Sequence, residues 1–346
     1  MEEKINNCLG LLNVFISHFF LKSYFILKKK TREMGFNMIK KKLFSYFYLC
    51  QSYASPFQHR VMIGDEKRTG LFRRAIMSSN LREKIVLDAG CGLGIMSFFA
   101  VQAGAKKVFA VDCSDYIYHA KRISQMNNFD KKIQFVQQDL SRVYLEKKVD
   151  VLIHETIGNF LFNEDTVKVV SRLRKRILIK NGQIIPYQVD WYFVPVSMKT
   201  FGIYPPQSFW QTKPYGFDFS ILTKEEIDSP QTILLNSSQS YLARPQCLFK
   251  LNYYTIETAP KSIEGQFKID KQGNLNGLVS FFKIKLNKGH ILNTAPGSRL
   301  THWGQGFFPI KKAVSVKKNN NLRFILEIKG VDYHQWRCQI DYLKLK

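Results

Sequence analysis

The sequence predicts a mixed α/β protein, with a doubly wound parallel sheet followed by an antiparallel β domain. Three observations support this fold class. Short apolar runs alternate with amphipathic stretches over residues 85–186, and three alternate glycines follow the first of these runs. After Pro186 the chain changes to aromatic and β-branched runs broken by Gly, Pro and Asn. With 346 residues and 45% hydrophobic content, the chain has room for two packed cores.

Residues 1–33 form an apolar and basic extension. The run at 8–27 is long enough to span a bilayer and is followed by three lysines. Asn13, His18 and Lys22 interrupt this run, and the acidic start does not resemble a secretory signal. Two alternatives follow: a segment that associates with a membrane, or an extension of the gene model whose real start is Met34 or Met38.

Residues 34–84 are expected to be helical. Apolar side chains four residues apart, at Leu43 and Phe47 and again at Phe72 and Ile76, lie on one face of a helix. We therefore expect N-terminal helices before the parallel sheet.

The predicted sheet elements follow from the spacing of apolar runs. Strands are expected at residues 85–89, 107–111, 133–136 and 149–154 and from Leu178, with helices beginning near Met96, Tyr116 and Asp165. Later strands are expected at residues 189–194, 248–255, 278–286 and 322–328. These patterns divide the chain into a cofactor domain at 85–186 and a β domain at 187–346.

The net charge of +25 is spread along the whole chain. Because diffuse charge is weaker support than a basic stripe, we do not expect direct nucleic-acid binding. The six cysteines have no CxxC pairs or regular spacing, so we expect no metal site.

The glycine-rich loop predicts a nucleoside cofactor. Asp88 ends the first strand, and Gly90, Gly92 and Gly94 follow it immediately before a helix. Glycines in such a turn let a ligand approach the backbone closely. The next strand ends at Asp112, where a carboxylate suits the hydroxyl groups of a ribose.

Dinucleotide binding is the competing interpretation, because Rossmann loops use Gly-x-Gly-x-x-Gly. The spacing here is Gly-x-Gly-x-Gly after Asp88. It resembles the first motif of class I methyltransferases that use S-adenosylmethionine. That resemblance implies that Asp139, after the third strand, lies near the adenine.

A more specific resemblance covers residues 45–346. Four segments agree in order and spacing with the protein arginine N-methyltransferase family. They are residues 53–69, residues 86–115, the pair Glu155 and Glu164, and Thr301-His302-Trp303. The resemblance implies a Rossmann-like class I methyltransferase domain followed by an antiparallel β-barrel. It also implies a homodimer with a short helical dimerisation arm near residues 196–215.

The resemblance also implies roles for particular residues. His59 and Arg68 would contact the methionine end of S-adenosylmethionine, alongside the glycine loop and Asp112. Tyr53, Met62 and Trp303 would contact the substrate, and Trp303 would offer an aromatic face. Catalytic roles fall on Glu155, Glu164 and His302, with His302 held by Asp65 as it accepts a proton, directly or through Glu164.

The two glutamates suit a guanidinium group. A guanidinium is planar, keeps its charge and has five donors, so two converging carboxylates can bind it from two sides. We therefore expect protein substrates with an accessible arginine, for example in Gly/Arg-rich segments. The scattered cysteines indicate a reducing compartment, so we expect a location in the cytoplasm, the nucleus or both, with membrane association through residues 8–27 as the alternative.

The loop between the two glutamates departs from the family pattern. Thr156-Ile157-Gly158-Asn159 stands where Trp-Met-Gly-Tyr is usual, and Asp165-Thr166 stands where Ser-Met is common. Two alternatives therefore stay open: a methyltransferase of the same fold acting on another nucleophile, and an inactive cofactor-binding scaffold.

Overall fold

The computed structural model describes residues 53–198, 209–223, 230–329 and 336–343. The predictions for residues 8–27, and for the remainder of 1–52, lie outside this range. Among the residues described, no helix is both long enough and apolar enough to cross a membrane.

The first part of the described chain is a parallel sheet with helices. The strands are β1 (Ile85–Ala89), β2 (Lys107–Asp112), β3 (Ile133–Gln137), β4 (Val149–His154) and β5 (Leu178–Ile185). The helices are α1 (Pro56–Gly64), α2 (Glu66–Met77), α3 (Ile95–Gln102), α4 (Tyr116–Met126) and α5 (Thr166–Arg176). Every predicted strand and helix of residues 85–186 is present.

The strand order β3-β2-β1-β4-β5 determines where a ligand can bind. β1 pairs in parallel with β2 on one side and with β4 on the other. The order therefore reverses beside β1, and a crevice opens at the carboxyl ends of β1 and β4. The glycine loop follows β1 and Glu155 follows β4, so the fold brings these two segments to one edge of the sheet.

The second part is antiparallel. Its strands are β6 (Gln188–Val196), β7 (Gln231–Ile233), β8 (Gln246–Asn252), β9 (Ser262–Lys268), β10 (Gly273–Asn287), β11 (His290–Asn293), β12 (Gln305–Val316), β13 (Asn321–Glu327) and β14 (Arg337–Leu343). Strands β7-β12-β10-β6-β8, with β11 on β10, form one sheet, and β14-β13-β9 form another. The predicted fold class, a Rossmann-like domain followed by an antiparallel β domain, is confirmed. Part of the predicted dimerisation arm, residues 199–208, lies outside the described residues.

Aromatic side chains join the loop after β4 to the β domain. Phe160 packs edge-on against Phe308 and Trp336, and Phe162 packs against Trp191 and Trp336. These rings belong to one buried hydrophobic cluster that includes the strands of the parallel sheet. The β domain therefore forms part of the support for the loop that carries both glutamates.

Candidate active site

The glycine loop has a backbone that only glycine adopts readily. Gly90, Gly92 and Gly94 have φ values of +78°, +52° and +85°, in the left-handed region. A Cβ added at Gly92 would lie 2.8 Å from Cε1 of His59. The loop thus presents bare backbone to the space that His59 borders.

His59 is buried beside this loop. Its ring stacks on Tyr116 with 4.7 Å between ring centroids, and its Nε2 has no hydrogen-bond partner. Burial lowers the pKa of His59, so the neutral imidazole is favoured. A buried ring nitrogen without a partner is costly, and a bound ligand would remove this cost.

Asp112 braces the glycine loop. Its Oδ2 accepts the N–H of Gly92 at 2.8 Å, and its Oδ1 accepts both the N–H (2.8 Å) and the hydroxyl (2.7 Å) of Ser114. A carboxylate offers about four acceptor positions, so these three bonds leave one for a ribose hydroxyl.

The two other predicted cofactor acids have partners within the protein. Asp88 is buried, and its Oδ2 accepts the hydroxyl of Ser97 at 2.6 Å. Burial raises the pKa of Asp88 to about 6. Asp139 follows β3, and its Oδ1 accepts the N–H of Ser141 at 2.6 Å. Contact of either acid with a cofactor stays a prediction.

Glu155 forms a buried ion pair with Arg68. Nε of Arg68 donates to Oε2 of Glu155 at 3.0 Å, and Nη2 donates to the same oxygen. Nη1 donates to the carbonyl oxygen of Met62 at 3.2 Å. Three of the five N–H groups of Arg68 are used, and two are left for a ligand carboxylate.

The loop from Glu155 to Glu164 is cross-braced. Gly158 and Leu161 form a β-bridge, and Oδ1 of Asn163 accepts the N–H of Phe160 at 3.1 Å. Both glutamates are half-buried. Burial, with the charges of Glu155 and Glu164 adding to its effect, raises the pKa of Tyr253 well above its ordinary value.

His302 is held by Asp65, the N-cap residue of α2. Oδ2 of Asp65 accepts the backbone N–H of His302 at 2.9 Å and lies 3.0 Å from Nδ1. Burial alone would raise the pKa of Asp65, but hydrogen bonds from His302 and Arg68 outweigh it and lower the pKa. With Nδ1 protonated on Asp65, Nε2 of His302 is the nitrogen that can accept a proton.

The predicted substrate residues lie in different environments. Trp303 is 1% exposed, and its Nε1 donates to the carbonyl oxygen of Ile157 at 2.6 Å. This geometry supports a positioning role for Trp303, and contact with substrate stays a prediction. Met62 is half-buried, and Tyr53 is the first described residue, so their predicted substrate contacts also remain untested.

Sequence reasoning missed several groups that brace the site. Thr166 bonds to Thr156 and to Tyr253, and Lys67 bonds to the loop that precedes His302. Thr156 and Thr166 stood out only as departures from a family pattern. Tyr253 belongs to no motif, and Lys67 lies within the stretch 53–69 but matches none of the residues to which the resemblance gives a role.

The fold and the site together define a class I S-adenosylmethionine-dependent methyltransferase. A family model described as "Arginine methyltransferase oligomerization subdomain" matches residues 190–344, and one described as "Ribosomal protein L11 methyltransferase" matches 64–179. Protein arginine N-methyltransferase 1 of Caenorhabditis elegans is 30% identical over 294 residues, covering 82% of this chain and 83% of that protein. The chain belongs to the protein arginine N-methyltransferase family.

Solved structures have the same fold. The Trypanosoma brucei PRMT1 enzyme-prozyme heterotetrameric complex with AdoHcy contains a chain that matches with a TM-score of 0.77 and 24% identity, covering 85% of this chain and 95% of that chain. Arabidopsis thaliana protein arginine methyltransferase 10 matches with a TM-score of 0.71 and 24% identity, covering 85% and 95%.

Proposed function

We propose that this protein transfers a methyl group from S-adenosylmethionine to a guanidinium nitrogen of arginine in protein substrates. One observation carries the proposal. The loop that bears Glu155 and Glu164 begins at the carboxyl end of β4, directly beside the glycine loop at the end of β1. A cation-binding pair of acids next to a nucleoside-cofactor loop is what this reaction requires.

The residues around the glycine loop fit the cofactor. His59 has an unpartnered buried Nε2, Gly92 leaves the space that a side chain would fill, and Asp112 keeps acceptor capacity. Arg68 has two N–H groups left for the carboxylate of the methionine end. Bound S-adenosylmethionine supplies the electrophilic methyl group.

The two glutamates bind and orient the substrate. Arg68 holds the Oε2 atom of Glu155, which leaves Oε1 to accept an N–H of the substrate guanidinium. Glu164 offers a second carboxylate from the other end of the same loop. Holding the nitrogen in line for attack can lower the barrier by roughly 7 to 11 kcal/mol.

His302 supplies the proton acceptor. Asp65 holds the ring through Nδ1, so that Nε2 is the ring nitrogen left to receive a proton. The proton lost from the guanidinium nitrogen reaches Nε2 directly or through Glu164. General base catalysis of this kind contributes on the order of 100- to 10,000-fold to a rate.

The preferred substrates in this proposal are Gly/Arg-rich segments. Glycines beside the arginine reduce the bulk that must approach the half-buried acids. The net charge of +25 opposes such basic substrates at long range. Physiological salt screens this repulsion beyond about 8 to 10 Å, so the local charge of the two acids dominates at the site.

Transfer of labelled methyl from S-adenosylmethionine to a Gly/Arg-rich protein tests the proposal. Wild type should label the protein, and Glu155→Gln and Glu164→Gln should reduce transfer by at least about tenfold, since each removes one charge-assisted bond. Equal activity of all three proteins would refute the assignment of the pair. Acid hydrolysis should yield methylarginine; another labelled residue would favour a different nucleophile. Cofactor binding without transfer would favour a scaffold.

For location, we propose the cytoplasm, the nucleus or both, with membrane association through residues 8–27 as the alternative. Fractionation of cells that express the full chain or a chain starting at Met38 separates the two. A full chain in the soluble fraction supports the proposal, and a full chain that pellets with membranes while the shorter one does not supports the alternative.

A further inference from the structure

We propose that a buried chain of three hydroxyl groups, those of Thr156, Thr166 and Tyr253, positions the two catalytic glutamates. The inference rests on the proposed function, because it assigns positioning residues for that reaction. Oγ1 of Thr156 lies 3.0 Å from Oγ1 of Thr166, which lies 3.0 Å from the hydroxyl of Tyr253. Thr166 and Tyr253 are fully buried.

The hydroxyl chain joins the two ends of the acid loop, the segment from Glu155 to Glu164. Thr156 directly follows Glu155, and Thr166 comes two residues after Glu164. The bond between the two threonines therefore joins the two ends of the loop that carries the acids. The separation of Glu155 and Glu164 depends on this bond together with the cross-braces within the loop.

Tyr253 anchors the chain in the β domain. Its ring meets His154, the last residue of β4, edge-on with 4.4 Å between centroids. Its carbonyl oxygen accepts a bond from Nη1 of Arg174 on α5 at 2.6 Å. The hydroxyl at the end of this fixed ring therefore has little freedom to move.

Donor counting limits the number of hydrogen bonds along the hydroxyl chain, and donor strength favours one direction. Each hydroxyl has one proton, so three hydroxyls make two bonds and keep one proton. Burial, with the charges of Glu155 and Glu164 adding to it, raises the pKa of Tyr253, so the phenol keeps its proton, and a phenol is a better donor than an alcohol. With Tyr253 donating to Thr166 and Thr166 donating to Thr156, the remaining proton lies on Thr156, the half-buried member next to Glu155.

Thr156 also lies beside the cofactor loop. Its methyl carbon Cγ2 would lie 3.6 Å from a Cβ added at Gly90, so Thr156 borders the space that a side chain at Gly90 would occupy. One side chain therefore faces the cofactor loop through its methyl and the acid loop through its hydroxyl. A shift of the hydroxyl chain would change the position of the acids relative to the cofactor.

The two threonines compensate for each other. Both depart from the family pattern, and a single buried threonine hydroxyl at either site would lack this partner. Because the two threonines are bonded to one another and Thr166 also bonds to Tyr253, the departures from the pattern leave the ends of the loop supported.

Thr166→Val tests the hydroxyl chain, because valine keeps the shape of the threonine side chain and removes its hydroxyl. We expect kcat with a Gly/Arg-rich protein to fall roughly 10- to 100-fold, as a small misplacement of reacting groups does. KM for S-adenosylmethionine should change by less than about twofold, because the cofactor contacts are kept. Thr166→Ser should restore kcat. Ser171→Ala is the matched control, because it removes a buried hydroxyl that bonds to Glu257 from the same helix.

Unfolding measurements test the hydroxyl chain independently of activity. Unfolding free energies of Thr156→Val, Thr166→Val and the double variant should not add, because the singles each break the same bond. If Thr166→Val does not fold, Tyr253→Phe removes the far end of the chain and should lower kcat in the same way. An active wild type with an equally active Thr166→Val, or additive unfolding free energies, would overturn this inference alone. A wild type that transfers no methyl would overturn the proposed function and this inference with it.

Discussion

Asp88 is a carboxyl group that is 2% exposed, and burial raises its pKa from 3.8 to about 6. A carboxyl that binds its proton more tightly in the folded chain stabilises the fold fully below pH 4. That stability is lost as the pH rises to about 6. The ionised carboxylate at neutral pH is therefore a cost, and its place at the end of β1 is where a cofactor loop begins.

Asp88→Asn should stabilise the protein at pH 7.5 by on the order of 1 to 3 kcal/mol, because the neutral amide avoids the charge that burial disfavours. Denaturant unfolding between pH 4 and pH 8 measures this. The stabilities of the two proteins should converge near pH 4, and a variant no more stable than wild type at pH 7.5 would contradict the prediction.

Gly92→Ala should weaken cofactor binding by at least about tenfold, since the left-handed backbone at +52° disfavours alanine by roughly 1 to 2 kcal/mol. The new Cβ would also crowd Cε1 of His59. Calorimetric titration with S-adenosylhomocysteine measures the affinity. Gly64→Ala is the control, because a Cβ there would meet nothing within 4 Å. Equal affinity of both variants would show that the bare backbone at Gly92 is not required.

Side chains at the start of α2 bond to the segment that carries His302. Asp65, the N-cap, bonds to His302; Glu66 pairs with Arg299 in an exposed contact. Nζ of Lys67 donates to Oγ of Ser298 at 3.0 Å, to the carbonyl oxygen of Arg299 at 2.8 Å and to that of Asn293. Asp65 and Lys67 thus hold the loop that carries His302, and the pair between Glu66 and Arg299 adds only a solvent-exposed contact.

Lys67→Met should lower kcat by about tenfold, because it removes three donors from partly buried acceptors and so loosens the His302 loop. Hydrogen exchange at residues 299–303 should accelerate in parallel. Glu66→Gln is the control within the same turn. It breaks only a solvent-exposed pair, whose contribution is about 0 to 1 kcal/mol, so its kcat should stay near that of wild type. Unchanged exchange and kcat in Lys67→Met would remove Lys67 from this role.

The two halves of the chain differ in how far their elements could be predicted. β1 and β4 were predicted with their observed ends, because buried parallel strands are continuous apolar runs. β12 was not predicted, since Gln305, Pro309 and two lysines break its apolar pattern. Antiparallel pairing stabilises such a segment through β10, and that partner is not visible in the local sequence.

At the scale of the molecule, the match to an oligomerization subdomain indicates that the protein forms an oligomer, and exposed apolar side chains lie at the end of the predicted arm and just after it. Tyr215 is 99%, Phe217 67% and Ile221 83% exposed. Replacing Phe217 and Ile221 together by Ser should shift the sedimentation mass from dimer toward monomer, because burial of these side chains stabilises association by about 1.5 to 3 kcal/mol each. Ile291→Ser, which removes an exposed side chain of β11, should leave the dimer intact. A double variant that remains dimeric would exclude these two side chains from the interface.

Some contacts of the site could be predicted from the sequence, and others could not. The resemblance implied that Asp65 holds His302, and in the structure Oδ2 of Asp65 lies 3.0 Å from Nδ1 of His302. The pair Glu155 and Arg68 lies 87 residues apart and was not expected, because each residue had been assigned to a different ligand. Tyr253 could not be found at all. Its role depends on which buried hydroxyls meet it in three dimensions, and a lone tyrosine in a strand region is ordinary core.

The hydrogen bond from Trp303 to Ile157 joins residues 146 positions apart. Domains generally fold in order as the ribosome releases them, N-terminal first. The residues of the parallel sheet and of its glycine loop are all synthesised before residue 303, which supplies the tether of the loop that bears Glu155. A nascent chain of this protein therefore carries its glycine loop and Glu155 well before it carries the bond that holds the loop after β4 in place.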